Sequence, residues 1–410
     1  MTFLFRRRFL PLFVAQFVGA LSDTLYKNAL AVLIIYRLPG ALGLAPSVLV
    51  SLAAGLFILP FVLFSAAAGA WADRHEKSGL ILRIKGAEIG VAAAAALALS
   101  LKNPLALLAV LALFGCLATA FGPLKYAILP DYLAPGELLA GNAWVEAGTF
   151  VAILLGMIGG SLLILAPHGP LLTGAALLAL ALTGFLASRA LPPAPPQPHE
   201  TPGGIRALLA ARPALWRPIV GISWFWFLGA TLLTQMPAYA RLILGADQQV
   251  VTLMLSLFTL GVAAGAVLCA RLRRHLRPGA LVALGGLGLA VFSADLAWAS
   301  PAAAPAGAPL LNAAAFLARP GHWRLLADLA LIALSGGLYV VPLYTRLQRE
   351  NAGRARAVAA NNIVNALFMV ASSLAGAALL ARGLSLPLLL AGQGLPTLAL
   401  LPWLRRQDGV

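Results

Sequence analysis

Residues 191–213 read LPPAPPQPHETPGGIRALLAARP, and this stretch divides the chain. Six of its seven prolines lie in the first half, at positions 192, 193, 195, 196, 198 and 202. Proline lacks a backbone N–H and its ring clashes with the preceding helical turn, so no continuous helix is expected here. The stretch is therefore predicted to be a cytoplasmic linker between two domains, residues 1–190 and 214–410.

The composition on either side of this linker is that of a membrane protein. Hydrophobic residues make up 61% of the chain and charged residues only 10%, with a mean hydropathy of +0.92. Soluble domains carry about 25% charged residues, so a chain of this composition needs lipid as its solvent. The net charge of +16 lies in short clusters between apolar runs, which argues against nucleic-acid binding. The two cysteines lie inside apolar runs and suggest neither disulfides nor a metal site.

Each domain contains six apolar runs of the length that a transmembrane helix needs, about 20 residues. The first run follows three arginines but is too long for a secretory signal, so it is predicted to be retained. We number the runs as spans 1 to 12, with predicted bounds 9–36, 46–72, 79–99, 104–128, 138–166, 170–189, 214–243, 248–270, 278–300, 322–346, 356–381 and 384–404.

The basic residues predict the orientation of these spans. With the N-terminus in the cytoplasm, the inside segments hold 21 of the 29 Lys and Arg residues, and the outside segments hold six. The remaining two, Lys27 and Lys125, lie within spans. Because basic residues concentrate on the cytoplasmic side, both termini are predicted to be cytoplasmic.

The two domains resemble each other at an offset of 219 residues. This offset places Pro123 on Pro342, Asn142 on Asn361 and Glu146 on Asn365 without a gap. Matching polar as well as apolar residues favours a duplicated six-helix unit over chance. Two parallel six-helix repeats are the arrangement of major facilitator carriers.

The loop after span 2 carries a motif that points the same way. Residues 69–77 read GAWADRHEK, which resembles the G-x-x-x-D-R-x-x-[KR] signature of the major facilitator superfamily. Gly69 would allow two helices to approach closely, and Asp73 and Arg74 would form a charge-assisted pair at a cytoplasmic gate. The alternative is a loop that only fixes the orientation of the chain.

Two further motifs resemble the bacterial lysophospholipid transporter family. Span 1 contains D-x-x-x-K-N-A-L at residues 23–30, and span 4 contains G-P-x-K-Y at residues 122–126. The chain is also similar to the transporter halves of acyl-glycerophosphoethanolamine acyltransferase fusions, although it has no His-x4-Asp acyltransferase motif. Members of the family have an Arg in span 7, whereas residues 228–237 here carry no charge, which leaves the head group open.

This resemblance implies an all-α membrane protein with the major facilitator fold, in the bacterial inner membrane. It implies movement of lysophospholipids, chiefly lysophosphatidylethanolamine, toward the cytoplasmic leaflet for re-acylation. The expected partners are the lysophospholipid, membrane lipids and a separate acyltransferase. We expect a monomer with no cofactor, no metal, no nucleic acid and no enzymatic activity.

Charges within spans are costly, about 2.5–3.5 kcal/mol each near the bilayer centre, and so they mark candidate sites. Asp23 and Lys27 share one helical face and either line a cavity or neutralise each other. Lys125 either contacts substrate or extends to the interface. Glu146 either pairs with Lys125 or contacts a substrate ammonium group. Asn28 either hydrogen-bonds the substrate or joins a neighbouring helix. The candidate substrate-binding residues are Asp23, Lys27, Asn28, Lys125 and Glu146.

Three further asparagines, Asn142, Asn361 and Asn365, are expected to join helices rather than touch substrate. Two other functions remain open at this point. One is a proton-coupled major facilitator exporter of hydrophobic or cationic small molecules, with Asp23 or Glu146 carrying the proton. The other is a lipid-binding scaffold without transport.

Overall fold

Twelve long helices account for most of the chain in the computed structural model, which describes residues 5–38, 41–43, 46–196, 204–302, 304–305, 309–349 and 353–405. All twelve are long and apolar enough to cross a membrane. The twelve predicted spans are therefore confirmed, with ends within a few residues of those expected. Spans 1 to 11 are Leu10–Tyr36, Pro46–Arg74, Lys77–Leu101, Pro104–Ala127, Leu138–Leu165, Gly169–Ser188, Trp216–Leu242, Gln248–Leu272, Pro278–Ala299, Pro320–Gln348 and Arg354–Ala381.

Span 12 differs from the single helix that was expected. It consists of two pieces, Leu386–Gly394 and Pro396–Arg405. The break falls at Leu395, directly before Pro396, because a proline removes one helical hydrogen bond and crowds the preceding turn. Span 4 is also extended, by a short helix at Leu129–Tyr132.

Several spans begin at side chains that cap their first turn. Asn103 accepts a hydrogen bond of 3.0 Å from the Ala106 N–H, and Pro104 occupies the first helical position of span 4. Asp247 accepts one of 2.9 Å from the Gln249 N–H at the start of span 8. These side chains satisfy N–H groups that have no partner within the helix.

The segment between the domains is partly helical. Residues 191–196 are not helical, and a short helix follows at Ile205–Ala211. The predicted linker prolines at 198 and 202 lie outside the described residues. Proline therefore accompanies irregular backbone in the part of the linker that the structure describes.

Contacts group the chain into two compact units. Unit 1 comprises residues 1–213 and 347–363, and unit 2 comprises residues 214–346 and 364–410. The end of span 10 and the start of span 11 thus belong to unit 1, although sequence places them in the C-terminal domain. Their contacts with Asp73, Asp131 and Asn142 account for this grouping.

In unit 1, span 1 packs against spans 5 and 6, while span 3 packs against spans 4 and 6. Glycines let span 5 lie directly on the backbone of span 1. A Cβ on Gly156 would lie 2.8 Å from the Leu21 carbonyl oxygen, and one on Gly160 would lie 2.6 Å from that of Leu25. This close approach holds together the two helices that carry Asp23 and Glu146.

In unit 2, span 9 packs against both pieces of span 12, and span 7 packs against spans 8 and 12. Spans 9 and 10 also approach closely at Gly285. A Cβ at this position would lie 2.7 Å from the Ser335 carbonyl oxygen. Small residues at such contacts are typical of membrane helices.

Candidate functional site

Six charged side chains from four helices of unit 1 form one electrostatic cluster. Asp23 interacts with Lys27 of its own span and with Lys85, Glu88 and Lys125 of neighbouring spans. Lys125 also interacts with Glu146. Three ammonium groups and three carboxylates give the cluster a formal charge of zero. We name this set the charge cluster: Asp23, Lys27, Lys85, Glu88, Lys125 and Glu146.

Asp23 and Lys27 are half-buried and lie one turn apart on span 1. Neither forms an ion pair among the described residues, so the two do not neutralise each other in direct contact. The Lys27 ammonium lies 4.3 Å from the ring centroid of Phe57 on span 2 instead. Cation–π contact of this kind orients the ammonium group without cancelling its charge.

Asn28 follows directly on span 1 but is engaged in helix packing. Its side-chain nitrogen donates hydrogen bonds of 2.6 Å to both the Met157 carbonyl oxygen and the Ser161 hydroxyl of span 5. Both N–H groups of the amide are thereby used. A substrate contact by Asn28 stays a prediction, and its nitrogen would have to give up one of these bonds.

Glu146 has a different partner from the one expected. It is buried, and its carboxylate accepts a hydrogen bond from the Tyr126 hydroxyl. A direct ion pair with Lys125 is absent from the described residues. The Lys125 ammonium lies 4.8 Å from the Tyr126 ring centroid, within electrostatic reach of Glu146. Consecutive helical residues point about 100° apart, so the tyrosine rather than the lysine faces span 5.

Lys85 and Glu88 of span 3 complete the cluster. The Lys85 ammonium lies 2.7 and 3.0 Å from the two carboxylate oxygens of Glu88, which is three residues further along the helix. It also lies 4.4 Å from the Phe121 ring centroid. Sequence did not predict that this pair lies beside Asp23, since no motif links spans 1 and 3.

The predicted gate residue Asp73 binds the start of span 11. Its carboxylate accepts hydrogen bonds from the Ala355 N–H at 2.9 Å and the Arg356 N–H at 3.3 Å. The Arg356 Nε also donates to it at 2.9 Å, and both side chains are buried. Asp73 thus caps a helix and pairs with a cation at once.

The expected pairing of Asp73 with Arg74 was wrong. Arg74 is exposed and forms no ion pair among the described residues. Gly69, the first residue of the motif, allows the close approach that was predicted for it. A Cβ there would lie 2.9 Å from the Ala355 carbonyl oxygen. The partner of the motif is therefore the first turn of span 11, which lies far away in sequence.

Asp131 is a second acidic residue at this end of unit 1, and sequence reasoning missed it. Its carboxylate lies 2.9 Å from the Lys77 ammonium and 3.1 Å from the Arg354 guanidinium. Asp131 follows a proline in an apolar stretch, which carried no signal for a cation-binding role. It joins the start of span 3 to the start of span 11.

The linker is fixed to the same end of unit 1. The Ala194 N–H donates to Glu76 at 2.7 Å, and the Ala194 carbonyl accepts from the Lys77 N–H at 2.9 Å. The Tyr132 hydroxyl donates to the Pro192 carbonyl at 2.6 Å. Partial burial acts to raise the pKa of Glu76, but hydrogen bonds from Ser78 and from backbone N–H groups, including that of Ala194, outweigh it and leave this pKa lowered.

The three structural asparagines have different surroundings. Asn142 exchanges two hydrogen bonds of 2.7 Å with Gln348 at the end of span 10. Asn365 accepts one of 2.7 Å from Ser223 in unit 2. Asn361 is fully buried, and neither of its side-chain polar atoms has a hydrogen-bond partner among the described residues. No group of described His, Cys, Asp or Glu side chains is arranged to hold a metal ion.

A family model of the Major Facilitator Superfamily matches residues 12–377 of the chain. The chain belongs to the Major Facilitator Superfamily. The family that the loop after span 2 predicted is therefore confirmed, and the protein is a multi-pass membrane protein of a transporter family.

Solved structures of this superfamily share the fold. The chain superposes on the fucose:proton symporter of E. coli with a TM-score of 0.76 at 11% identity, over 98% of each chain. It superposes on a human organic anion transporter with a TM-score of 0.71 at 18% identity, over 98% of each chain. At these identities the likeness concerns the fold alone.

The proteins related by sequence carry a more specific name than that of the superfamily. The chain is 30% identical over 272 residues to the "Lysophospholipid transporter LplT" of Serratia proteamaculans, over 61% of each chain. It is 28% identical to the protein of that name from Salmonella paratyphi B, over 61% of this chain and 60% of the relative. The match thus spans less than two thirds of the length of these relatives.

Proposed function

We propose that this major facilitator protein moves lysophospholipids across the bacterial inner membrane by alternating access. The preferred substrate is of the lysophosphatidylethanolamine type, and movement is toward the cytoplasmic leaflet. Both termini are cytoplasmic in this proposal, and a separate acyltransferase consumes the delivered lipid. The similarity to lysophospholipid transporters supports the substrate class.

The charge cluster is the observation that carries the proposal. A lysophosphatidylethanolamine head group contains one phosphate and one ammonium. The cluster offers the half-buried Asp23 carboxylate, which has no ion-pair partner among the described residues, together with the Lys27 and Lys125 ammonium groups. Opposite charges on site and ligand give specificity when both are removed from water. Asp23 then binds the ammonium, and the two lysines bind the phosphate.

Asp73, Gly69 and the start of span 11 serve as the gate in this proposal. Their contacts are made between helix ends in unit 1 and would break when the transporter changes state. Arg356 and Arg354, rather than Arg74, supply the cations. Substrate binding shifts the equilibrium between two conformations of the transporter only if the substrate binds one of them more tightly.

Transport of fluorescent lysophosphatidylethanolamine in proteoliposomes tests the proposal. Wild-type protein is expected to accelerate its movement between leaflets, and Asp23→Asn is expected to abolish most of that acceleration. Asp295→Asn is the matched control, since Asp295 lies in unit 2 and binds Arg324 at 3.1 and 2.5 Å. Wild-type protein that fails to move the lipid would contradict the proposal.

The same vesicles separate this function from proton-coupled export. Asp23 carries no ion-pair partner among the described residues, which is also what a proton-carrying carboxylate needs. An exporter would move a hydrophobic cation only while a pH gradient is present, and a protonophore would stop it. Lysophospholipid transport that is unaffected by a protonophore supports the first function.

A further inference from the structure

A lysine and a glutamate of span 3 belong to the charge cluster without belonging to any sequence motif. Lys85 is fully buried and binds both carboxylate oxygens of Glu88. A buried ion pair contributes little net stability, because desolvation offsets most of the attraction, and apolar residues often replace it without loss. Stability alone therefore does not account for placing this pair between membrane helices.

The absence of a side chain at Gly19 leaves a gap next to the Lys85 ammonium, which we call the notch at Gly19. A Cβ on Gly19 of span 1 would lie 2.5 Å from the Lys85 ammonium, closer than real contacts allow. A Cβ on Gly184 of span 6 would lie 3.4 Å from the Lys85 side chain. Glycine at position 19 gives the ammonium room to reach the face of span 1, whereas a Cβ at position 184 would make only ordinary contact with the Lys85 side chain.

That face of span 1 is the one that carries the predicted substrate residue. Gly19 and Asp23 are four residues apart and therefore lie one above the other. Asp23 interacts electrostatically with both Lys85 and Glu88, and Lys85 interacts with Lys125. The pair is thus close enough to Asp23 and Lys125 to alter the potential that a head group meets.

We propose that Lys85 and Glu88 set the charge preference of the head-group site, so that their balance decides between zwitterionic and anionic lysophospholipids. The inference rests on the proposed function. With both residues present the cluster is neutral and suits a zwitterionic phosphoethanolamine. Loss of Lys85 charge makes the cluster negative and disfavours an anionic phosphoglycerol head. Loss of Glu88 charge makes it positive and favours that head.

A competition assay tests the sign of the effect. Proteoliposomes receive labelled lysophosphatidylethanolamine and lysophosphatidylglycerol together, and the ratio of their initial transport rates is measured. Relative to wild type, Lys85→Gln is expected to raise the ethanolamine-to-glycerol ratio about threefold to tenfold, and Glu88→Gln to lower it about as much, as expected for one unit charge at about 10 Å. The double variant is expected to return near the wild-type ratio.

Arg83→Gln is the matched control, because it removes a charge from an exposed position of the same helix. Its ratio is expected to equal that of wild type. A purely structural pair would lower both rates together and leave every ratio unchanged. Ratios that shift in the same direction in both single variants, or not at all, would overturn the inference while leaving the proposed function intact.

A steric variant tests the same point without removing a charge. Gly19→Ala is expected to displace the Lys85 ammonium and shift the ratio in the direction of Lys85→Gln. Gly90→Ala, where a Cβ meets nothing within 4 Å, is expected to change nothing. If the charge variants fail to fold, these two variants test whether the position of the Lys85 ammonium sets the transport ratio. Wild-type vesicles that move neither lipid would overturn the proposed function and this inference with it.

Discussion

Asn142 and Gln348 exchange two hydrogen bonds of 2.7 Å, and neither side chain is exposed. Asn142→Ala leaves the Gln348 amide buried without that partner, which costs about 1–3 kcal/mol. We expect the melting temperature in detergent to fall accordingly. Asn142→Leu combined with Gln348→Leu should recover part of the loss, because no polar group is then left unpaired. Additive losses in the double variant would show that the amide pair is not the cause.

The Asp73–Arg356 contact predicts unequal effects for two neighbouring motif residues. Asp73→Asn removes the counter-charge of a buried guanidinium, which costs about 3–5 kcal/mol when one partner of a buried pair is lost. Arg74→Gln changes an exposed side chain and should cost less than about 0.5 kcal/mol. Thermal unfolding of both purified variants measures the difference. Equal losses would mean that Arg74 has a partner in the folded protein.

Phe57 is expected to position the Lys27 ammonium for the substrate phosphate. Phe57→Leu keeps an apolar side chain but removes the aromatic face, a contact worth about 0.5–2 kcal/mol. The apparent KM for the lysophospholipid should rise severalfold, while the maximal rate changes less. Phe61→Leu is the control, because Phe61 lies one turn further along span 2 and makes no cation–π contact among the described residues. A KM that responds equally to both changes would contradict the role of Phe57.

The hydrogen bond between Glu76 and the Ala194 N–H is expected to weaken at low pH, which would release this part of the linker. The pKa of the folded carboxyl lies below its ordinary value of 4.5, so its hydrogen bonds stabilise the fold above that pH. That contribution is lost as the pH falls through the lowered pKa. Hydrogen-exchange protection of the Ala194 N–H, corrected for intrinsic rates, should therefore drop in this range. Glu76→Gln should lower it already at neutral pH.

Glu137→Gln is the control for this measurement. Glu137 also has a lowered pKa, because the hydrogen bonds from the Ala134 N–H and Arg8 outweigh the opposing effect of burial, but it makes no described contact with the linker. Protection at Ala194 should be unchanged in that variant. Protection that is insensitive to both pH and Glu76→Gln would place the anchor of the linker elsewhere.

The spans could be predicted from sequence because hydropathy reports burial in lipid directly. The break in span 12 was signalled by Pro396, but an apolar run of adequate length outweighed that signal. The repeat at 219 residues aligned Asn142 with Asn361, yet of the two only Asn142 has a side-chain hydrogen-bond partner among the described residues. The position that corresponds to Gln348 in the first repeat is Leu129, which offers no amide. The asparagine of the Asn142–Gln348 pair therefore occurs in both repeats, whereas the glutamine occurs in only one.

The candidate site was only partly predictable, for reasons of geometry. Lys85 and Glu88 pair because residues three apart meet on a helix, so their spacing is compatible with this contact. Their closeness to Asp23 depends on how spans 1 and 3 pack, which no local pattern encodes. Asp73 and Arg356 are 283 residues apart, so the nearer Arg74 was the natural but incorrect choice. Tyr126 lay next to the predicted Lys125, and only the rotation of the helix distinguishes them.

The notch at Gly19 has a consequence for the order in which substitutions can accumulate in this chain. A methyl group at Gly19 would lie 2.5 Å from the Lys85 ammonium, so Gly19→Ala should displace that ammonium and alter the head-group preference while Lys85 is present. In a background that already carries Lys85→Met and Glu88→Leu, the same change should leave the head-group preference unaltered, so the effects of these substitutions on the transport ratio should be strongly non-additive. The effect of a substitution at position 19 therefore depends on which side chain another helix carries at position 85.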